Sequence, residues 1–307
     1  MSGGTLRLGL IGAGRWGRIY IKTLKRMDGF SLVRLASSNP DSRALVDKEC
    51  LISEDWHDVT GADDLDGVII ATPPTLHADM TRAAIAVSNP VLVEKPLTLD
   101  ADEAAALLDN AQQQSAIVHV DHIHLYHPAY RALKNAGKAL GPVQAIQGTA
   151  GDRGPFGGDA SILWDRGSHD VAMCLDLLGE EPESVSARIE EARHTEDGPG
   201  EAISVRLTFP GGVQADLEFS NLLDGKKRGF AVQYEKETLI YDDVSKAALS
   251  RQLQSGDIEA IDVADTLPLD QVLIDFATAI KKAEPDLDGL RLGTHVVQVL
   301  SACQKSL

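Results

Sequence analysis

Leu6-Arg7-Leu8-Gly9-Leu10-Ile11-Gly12-Ala13-Gly14-Arg15-Trp16-Gly17 is the stretch on which the reading of this chain turns. Its first six residues, apolar apart from Arg7, read as a buried strand, and residues 15–27 read as a helix. Three glycines in Gly-x-Gly-x-x-Gly spacing lie between them. The first permits a tight turn, the second lets backbone approach a pyrophosphate, and the third lets helix and strand pack closely. The helix N-terminus then faces the anion with free N–H groups. The spacing alone is a weak signal, but a strand before it and a helix after it make it specific. Gly12, Gly14, Arg15, Trp16 and Gly17 are therefore cofactor-binding candidates.

The same rhythm continues outward. Strand patterns at 30–36, 67–71, 91–93 and 116–120 alternate with helical patterns at 41–48, 75–87 and 100–114. Strands separated by helices, without hairpin turns, imply βαβ units and a doubly wound parallel sheet of Rossmann type. Near residue 121 the pattern changes. A helix at 128–136 and a strand at 143–150 precede a helix at 168–178. Strand-like runs follow at 184–190, 202–209, 213–219, 229–234 and 238–241, with helices at 269–282 and 292–304. Pro210-Gly211-Gly212 is a hairpin signal. The expected fold class is thus α/β plus α+β. Residues 1–122 form the Rossmann domain, and residues 123–307 an α+β domain with a largely antiparallel open sheet.

Composition narrows the function. A net charge of −17 over 307 residues argues against nucleic-acid or anionic-membrane partners, which need a basic footprint. The three cysteines, Cys50, Cys174 and Cys303, have no close spacing, so neither a disulfide framework nor a zinc centre is expected. No metal site is expected elsewhere. The first residues lack a basic segment followed by an apolar core, and no apolar run approaches membrane-spanning length. A soluble, cytoplasmic protein is expected.

The end of the second strand reports on the cofactor ribose. An NAD site usually places a carboxylate there for the 2′-hydroxyl. Here the chain reads Leu35-Ala36-Ser37-Ser38-Asn39-Pro40, with no acid before Asp41. Ser37 and Ser38 are able to donate to a 2′-phosphate, which favours NADP over NAD; alternatively, Ser38 and Asn39 only cap the helix that follows. Arg43 is the one basic candidate nearby.

Thr72 and Pro73 end the strand at 67–71, with His77 one turn into the next helix. Glu94-Lys95-Pro96 ends the strand at 91–93. Carboxyl ends of strands line the ligand crevice of open α/β sheets. Together with Gly12–Gly17 and Asp165-x-Gly167-x-His169, these motifs make the chain resemble the Gfo/Idh/MocA oxidoreductases over nearly its whole length. The resemblance implies hydride transfer between a nicotinamide and a secondary alcohol or ketone carbon of a sugar, cyclitol or nucleotide-sugar. It also implies a dimer or tetramer, and a catalytic set of Lys95, Asp165 and His169. Histidine suits a proton relay near neutral pH, an ammonium suits a developing alkoxide, and a carboxylate suits tuning both. Thr72, Pro73, His77, Glu94 and Lys95 join the cofactor candidates. One departure stands out: the family often has an Asp three residues after the histidine, where this chain has Ala172, and Asp170 follows His169 directly. Two rival readings are redox-neutral glycoside cleavage or isomerisation on the same fold, and a dinucleotide-binding sensor without catalysis.

His119, His122, His124 and His127 cannot converge on a metal while extended, because alternate residues of a strand face opposite ways. His124 and Tyr126 are taken as substrate contacts. Arg153 opens the Gly-rich segment 153–158, readable as a lid or as a surface loop; it meets an anionic substituent or is solvated. Trp164 stacks on a sugar or packs beneath its helix. Lys226-Lys227-Arg228 reads as a solvated turn.

Overall fold

The computed structural model describes residues 4–154, 156 and 160–307. The chain divides into two compact units, 1–121 with 269–294, and 122–268 with 295–307.

The first unit is built on six strands: β1 (Leu6–Ile11), β2 (Phe30–Ala36), β3 (Leu51–Ser53), β4 (Gly67–Ile70), β5 (Val91–Glu94) and β6 (Val118–Asp121). They pair in the order β3-β2-β1-β4-β5-β6, every pair parallel. β4, β5 and β6 are buried at every residue, as strands covered on both faces must be. The strand order reverses at β1 and β4, so the crevice beyond their carboxyl ends is where such a sheet binds ligands. The main flanking helices are α1 (Arg15–Arg26), α3 (His77–Ala86) and α4 (Ala101–Gln113), with a single turn, α2 (His57–Thr60). α1 buries Gly17, Tyr20, Ile21 and Leu24, the i, i+3, i+4, i+7 stripe of a helix lying on a sheet. Asp100 caps α4 by accepting from the Glu103 N–H at 2.9 Å.

A division into contiguous halves at 122/123 does not describe these units. α7 (Pro268–Lys282) and the start of α8 (Asp288–Ser306) pack with the first unit. Gly67 leaves the space that Phe276 and Ile280 fill, since a Cβ there would sit 3.0 Å from Phe276 Cζ. Gly293 lies against Val120 in the same way, and Asp286 bridges to Ile117 beside β6.

The second unit holds eight strands: β7 (Ala145–Arg153), β8 (Ser184–Thr195), β9 (Gly198–Thr208), β10 (Gln214–Ser220), β11 (Leu222–Gln233), β12 (Glu237–Tyr241), β13 (Leu249–Leu253) and β14 (Ile258–Ala260). Their order is β14-β13-β12-β11-β7-β10-β9-β8; only β7 and β10 run parallel. α6 (Ile162–Leu178) packs on β7, β9 and β10, and α5 (Pro128–Gly137) on β12 and β13. β9 and β10 alternate buried and exposed residues, the mark of a sheet covered on one face. The expected hairpin at Pro210-Gly211-Gly212 joins β9 to β10, with φ of 78° and 83° at the two glycines. Among the described residues, no helix is long and apolar enough to cross a membrane.

Several elements differ from expectation. In place of a helix at 41–48 there is a 3-10 turn, Pro40–Leu45, where Arg43 donates to the carbonyls of Asp47 and Cys50 and draws the chain round into β3. α6 starts six residues before the expected 168. Gly167 sits inside it because a Cβ would meet Leu300 at 3.1 Å and Phe219 at 3.3 Å. β8, β9 and β11 are longer than their apolar cores, and β11 absorbs Lys226-Lys227-Arg228, so that run is not a turn.

Candidate active site

The glycine loop has the form its spacing requires. Gly12 adopts φ +98°, and a Cβ there would lie 2.6 Å from the Ala71 carbonyl oxygen. A Cβ on Gly17 would run into the Gly12 carbonyl, 2.8 Å from its carbon. Gly14 differs. It is exposed, its φ of −69° is open to any residue, and a Cβ there would meet nothing within 4 Å. It is also the N-cap of α1, with no side-chain cap and no acidic residue in the first turn. A helix start left open in this way, beside empty space, accepts an anion. The residues therefore fit a dinucleotide pyrophosphate. Arg15 is exposed and Trp16 half-buried at the same helix start.

At the end of β2, Ser38 is exposed, whereas the Ser37 hydroxyl lies 2.8 Å from that of Ser42. Asn39 caps the following turn by accepting from the Asp41 N–H at 2.9 Å. Arg43 is committed to the carbonyls of Asp47 and Cys50.

Thr72 and Pro73 follow β4, half-buried and exposed respectively. His77 is wholly buried, with its two ring nitrogens 2.9 Å from the carbonyl oxygens of Thr72 and Pro96. It ties the segment after β4 to the segment after β5, so it acts on these loops rather than presenting its ring. Burial pushes its pKa down, and the nearby Lys95 charge adds to this.

Glu94, expected among the cofactor contacts, is instead 4% exposed. It pairs in register with Asp121 across β5 and β6, and the Tyr20 hydroxyl from α1 donates to Asp121 Oδ2 at 2.5 Å. Burial drives the Glu94 carboxyl well above the usual range, with the Asp121 charge adding and Lys95 opposing. Asp121 is pushed up to about 6 by burial, against the Tyr20 hydrogen bond and the Lys95 charge. Two carboxyls held this close in the dry interior do not both ionise freely. Lys95, half-buried at the strand end, is the cation acting on both.

In the second unit, Asp165 and His169 lie four residues apart on α6 and so share a face. Asp165 is half-buried with Arg166 Nε 3.4 Å from its carboxylate; His169 is 8% exposed. The His124 ring stands edge-to-face with that of His169, centroids 4.6 Å apart. His124 Nδ1 lies 2.7 Å from the Tyr241 hydroxyl, and Arg228 donates to His124 Nε2 at 2.9 Å. Arg228 in turn is paired with Asp170, both buried. Burial raises the Asp170 carboxyl, and the Arg228 guanidinium opposes that rise.

Three other substrate candidates fare differently. Trp164, in the first turn of α6, is 5% exposed and its indole N–H donates to Gln304 of α8, so it is packed inward and offers no stacking face. Tyr126 is half-buried under the Arg131 guanidinium, 4.9 Å from its ring centre. Arg153 is exposed and faces Asp197 at 3.4 Å, and residues 155 and 157–158 of the expected lid lie outside those described. Of the histidines, His119 lies 3.0 Å from Asp286, and His127 caps α5 by accepting from the Ala129 N–H. Sequence reasoning missed Arg228, Asp170, Tyr241, Tyr20 and Asp121. The available signal was Asp170 itself, a carboxylate in the middle of an apolar helix face, which demands a buried partner.

The family model for oxidoreductases with an NAD-binding Rossmann fold matches residues 6–122, and the Gfo/Idh/MocA C-terminal domain model matches residues 130–240. An inositol 2-dehydrogenase from Rhizobium meliloti (strain 1021) is 29% identical over 227 residues, covering 70% of this chain and 69% of that protein. The solved structure of a UDP-N-acetylglucosamine 3-dehydrogenase from Acidithiobacillus ferrooxidans superposes with a TM-score of 0.84 at 26% identity, covering 98% of each chain. A crystal structure from Magnetospirillum magnetotacticum MS-1, named as an oxidoreductase, reaches a TM-score of 0.91 at 42% identity, covering 98% of this chain and all of that one. With both domain models matched in order along the sequence, and a full-length structural relative at that identity, this chain belongs to the Gfo/Idh/MocA oxidoreductase family.

Proposed function

We propose that this oxidoreductase transfers hydride reversibly between a nicotinamide and a secondary alcohol or ketone carbon of a sugar, cyclitol or nucleotide-sugar. The observation that carries the reading is the open helix start at Gly14, bounded by two glycines that tolerate no side chain. The relatives named for inositol and for UDP-N-acetylglucosamine support the substrate class.

A nicotinamide dinucleotide, when bound, supplies the hydride acceptor or donor. Gly12, Gly14, Arg15, Trp16 and Gly17 hold its pyrophosphate, with Thr72 and Pro73 at the neighbouring strand end. Ser37 and Ser38 take the ribose side. With no carboxylate before Asp41 to repel a 2′-phosphate, NADP is favoured over NAD. Lys95 directs its ammonium to the reacting oxygen and stabilises the charge that develops as the alcohol is oxidised. His169 takes the alcohol proton, and Asp165, on the same face of α6, tunes it. His77 positions the two loops that carry Thr72 and Lys95.

The test is a titration with NADH and NADPH, followed by a panel of cyclitols, aldoses and UDP-sugars read at the reduced-nicotinamide absorbance band. Tighter NADPH binding and turnover on one member of the panel are expected, with Lys95→Ala and His169→Ala each losing most of kcat. Unchanged turnover in both variants would sink the proposed roles.

A further inference from the structure

We infer that Arg228 is a positioning residue for His169, acting through His124, which it locks as the neutral Nδ1–H tautomer. The inference rests on the reading of His169 as the proton relay.

Arginine carries five N–H donors and no acceptor. Its guanidinium donates to His124 Nε2 at 2.9 Å, so that nitrogen must offer its lone pair. The ring proton is then on Nδ1, 2.7 Å from the Tyr241 oxygen that accepts it. Protonating Nε2 would set an imidazolium N–H against a guanidinium N–H. His124 therefore stays neutral, and His169, 4.6 Å away, faces an uncharged ring in one fixed orientation.

The lock is itself held from the catalytic helix. Asp170 follows His169 on α6 and forms the buried ion pair with Arg228. His169 and the anchor of its neighbour are thus consecutive residues of one helix. Other ionisable groups around the network are Arg166, whose charge acts on Asp170, Asp165 on the His169 face of α6, Asp243 and Asp242 near Tyr241, and His127, whose ring centre lies 5.0 Å from that of Tyr241. Burial lowers the His127 pKa, with Asp243 opposing.

The experiment is an NMR titration of the histidine side chains in the full chain from pH 5 to 9, with His124 and His169 assigned from the spectra of His124→Gln and His169→Gln. In the native protein, His124 should show the Nδ1–H tautomer without titrating, and His169 a single step. The double variant Asp170→Leu/Arg228→Met replaces the ion pair by apolar side chains and so removes both charges together. In it, His124 should titrate and the His169 curve should split into two steps, as for groups coupled by more than about one pH unit. A native His124 that titrates in this range overturns the inference, as do unchanged curves in the double variant. Arg228→Lys, which keeps the charge without the planar fork, should release the tautomer as well, and a locked tautomer in that variant also counts against the inference. Because the readout needs no turnover, loss of the proposed reaction in His169→Ala is judged separately.

Discussion

Alanine at Gly14 and alanine at Gly17 should fail in opposite ways. At Gly17 the new Cβ runs into the Gly12 carbonyl, which is backbone and cannot rotate aside, so β1, the turn or α1 must shift. Overpacking of this kind costs about 1–3 kcal/mol, and a backbone-on-backbone clash belongs at the upper end. At roughly 2–4 °C per kcal/mol for a domain of 150–250 residues, Gly17→Ala should lower Tm by several degrees. At Gly14 the Cβ meets nothing and φ is already −69°. The gain from stiffening the unfolded chain is offset by alanine's poorer capping, leaving stability within about 0.5 kcal/mol of the native protein. The methyl group then occupies the space next to the helix N–H groups. A hydrogen bond to a charged group is worth about 1.5–3 kcal/mol. Losing one therefore weakens dinucleotide binding roughly 10- to 150-fold. Thermal unfolding and NADPH fluorescence titration of the two variants, side by side, test this. Native-like affinity in Gly14→Ala would show that the dinucleotide does not approach this helix start, and a Gly17→Ala variant melting with the native protein would refute the steric argument.

Three further outcomes follow from buried polar groups. Arg228→Met alone leaves Asp170 charged in the interior and should cost about 3–5 kcal/mol in urea unfolding, whereas Asp170→Leu/Arg228→Met should be neutral or stabilising; equal losses in both would refute the ion-pair account. Asp121 is raised from 3.8 to about 6 on folding, so the folded chain holds more protons and this group's contribution to stability falls as pH climbs from about 4 to 6. Relative to Asp121→Asn, the native protein should lose roughly 2–3 kcal/mol between pH 4 and 7, and a constant difference in urea midpoints would contradict the burial. Trp164→Phe removes the hydrogen bond to Gln304 and should cost about 1–3 kcal/mol of stability with KM unchanged; a raised KM at native stability would restore a substrate contact.

What the sequence disclosed follows from how far each feature reaches along the chain. Gly12 and Gly17 were legible because the constraints on them come from within the same turn and the adjacent strand, and β4 and β5 because strands covered on both faces are continuous apolar runs. β3, β13 and β14 have three to five residues each, too few for a period to show. The start of α6 was hidden by Gly167, which reads as a break until Leu300 and Phe219 are seen against it. Phe276 packing at Gly67 joins residues more than 200 apart, and nothing local in either segment marks the match. Arg228 was hidden twice, inside a basic run that reads as solvated and 58 residues from the Asp170 that buries it.

The two buried polar clusters carry an argument that stability alone does not. Tyr20, Glu94 and Asp121 lie in the first unit, where the Lys95 charge acts on both carboxyls; Asp170, Arg228, His124 and Tyr241 lie in the second around His169. Each withdraws charged groups from water, which folding must overcome, and apolar side chains of similar volume would serve the core as well or better. Glu94 and Asp121 set two buried carboxyls against an ammonium, while Asp170 and Arg228 fix one tautomer of an imidazole. In both cases the penalty falls beside a residue proposed to stabilise the developing oxyanion or to take the proton, where a fixed electrostatic environment stabilises a charge developing in the transition state without reorganising as it forms. Removing Asp170 and Arg228 together, as a neutral pair, is therefore expected to cost rate before it costs fold.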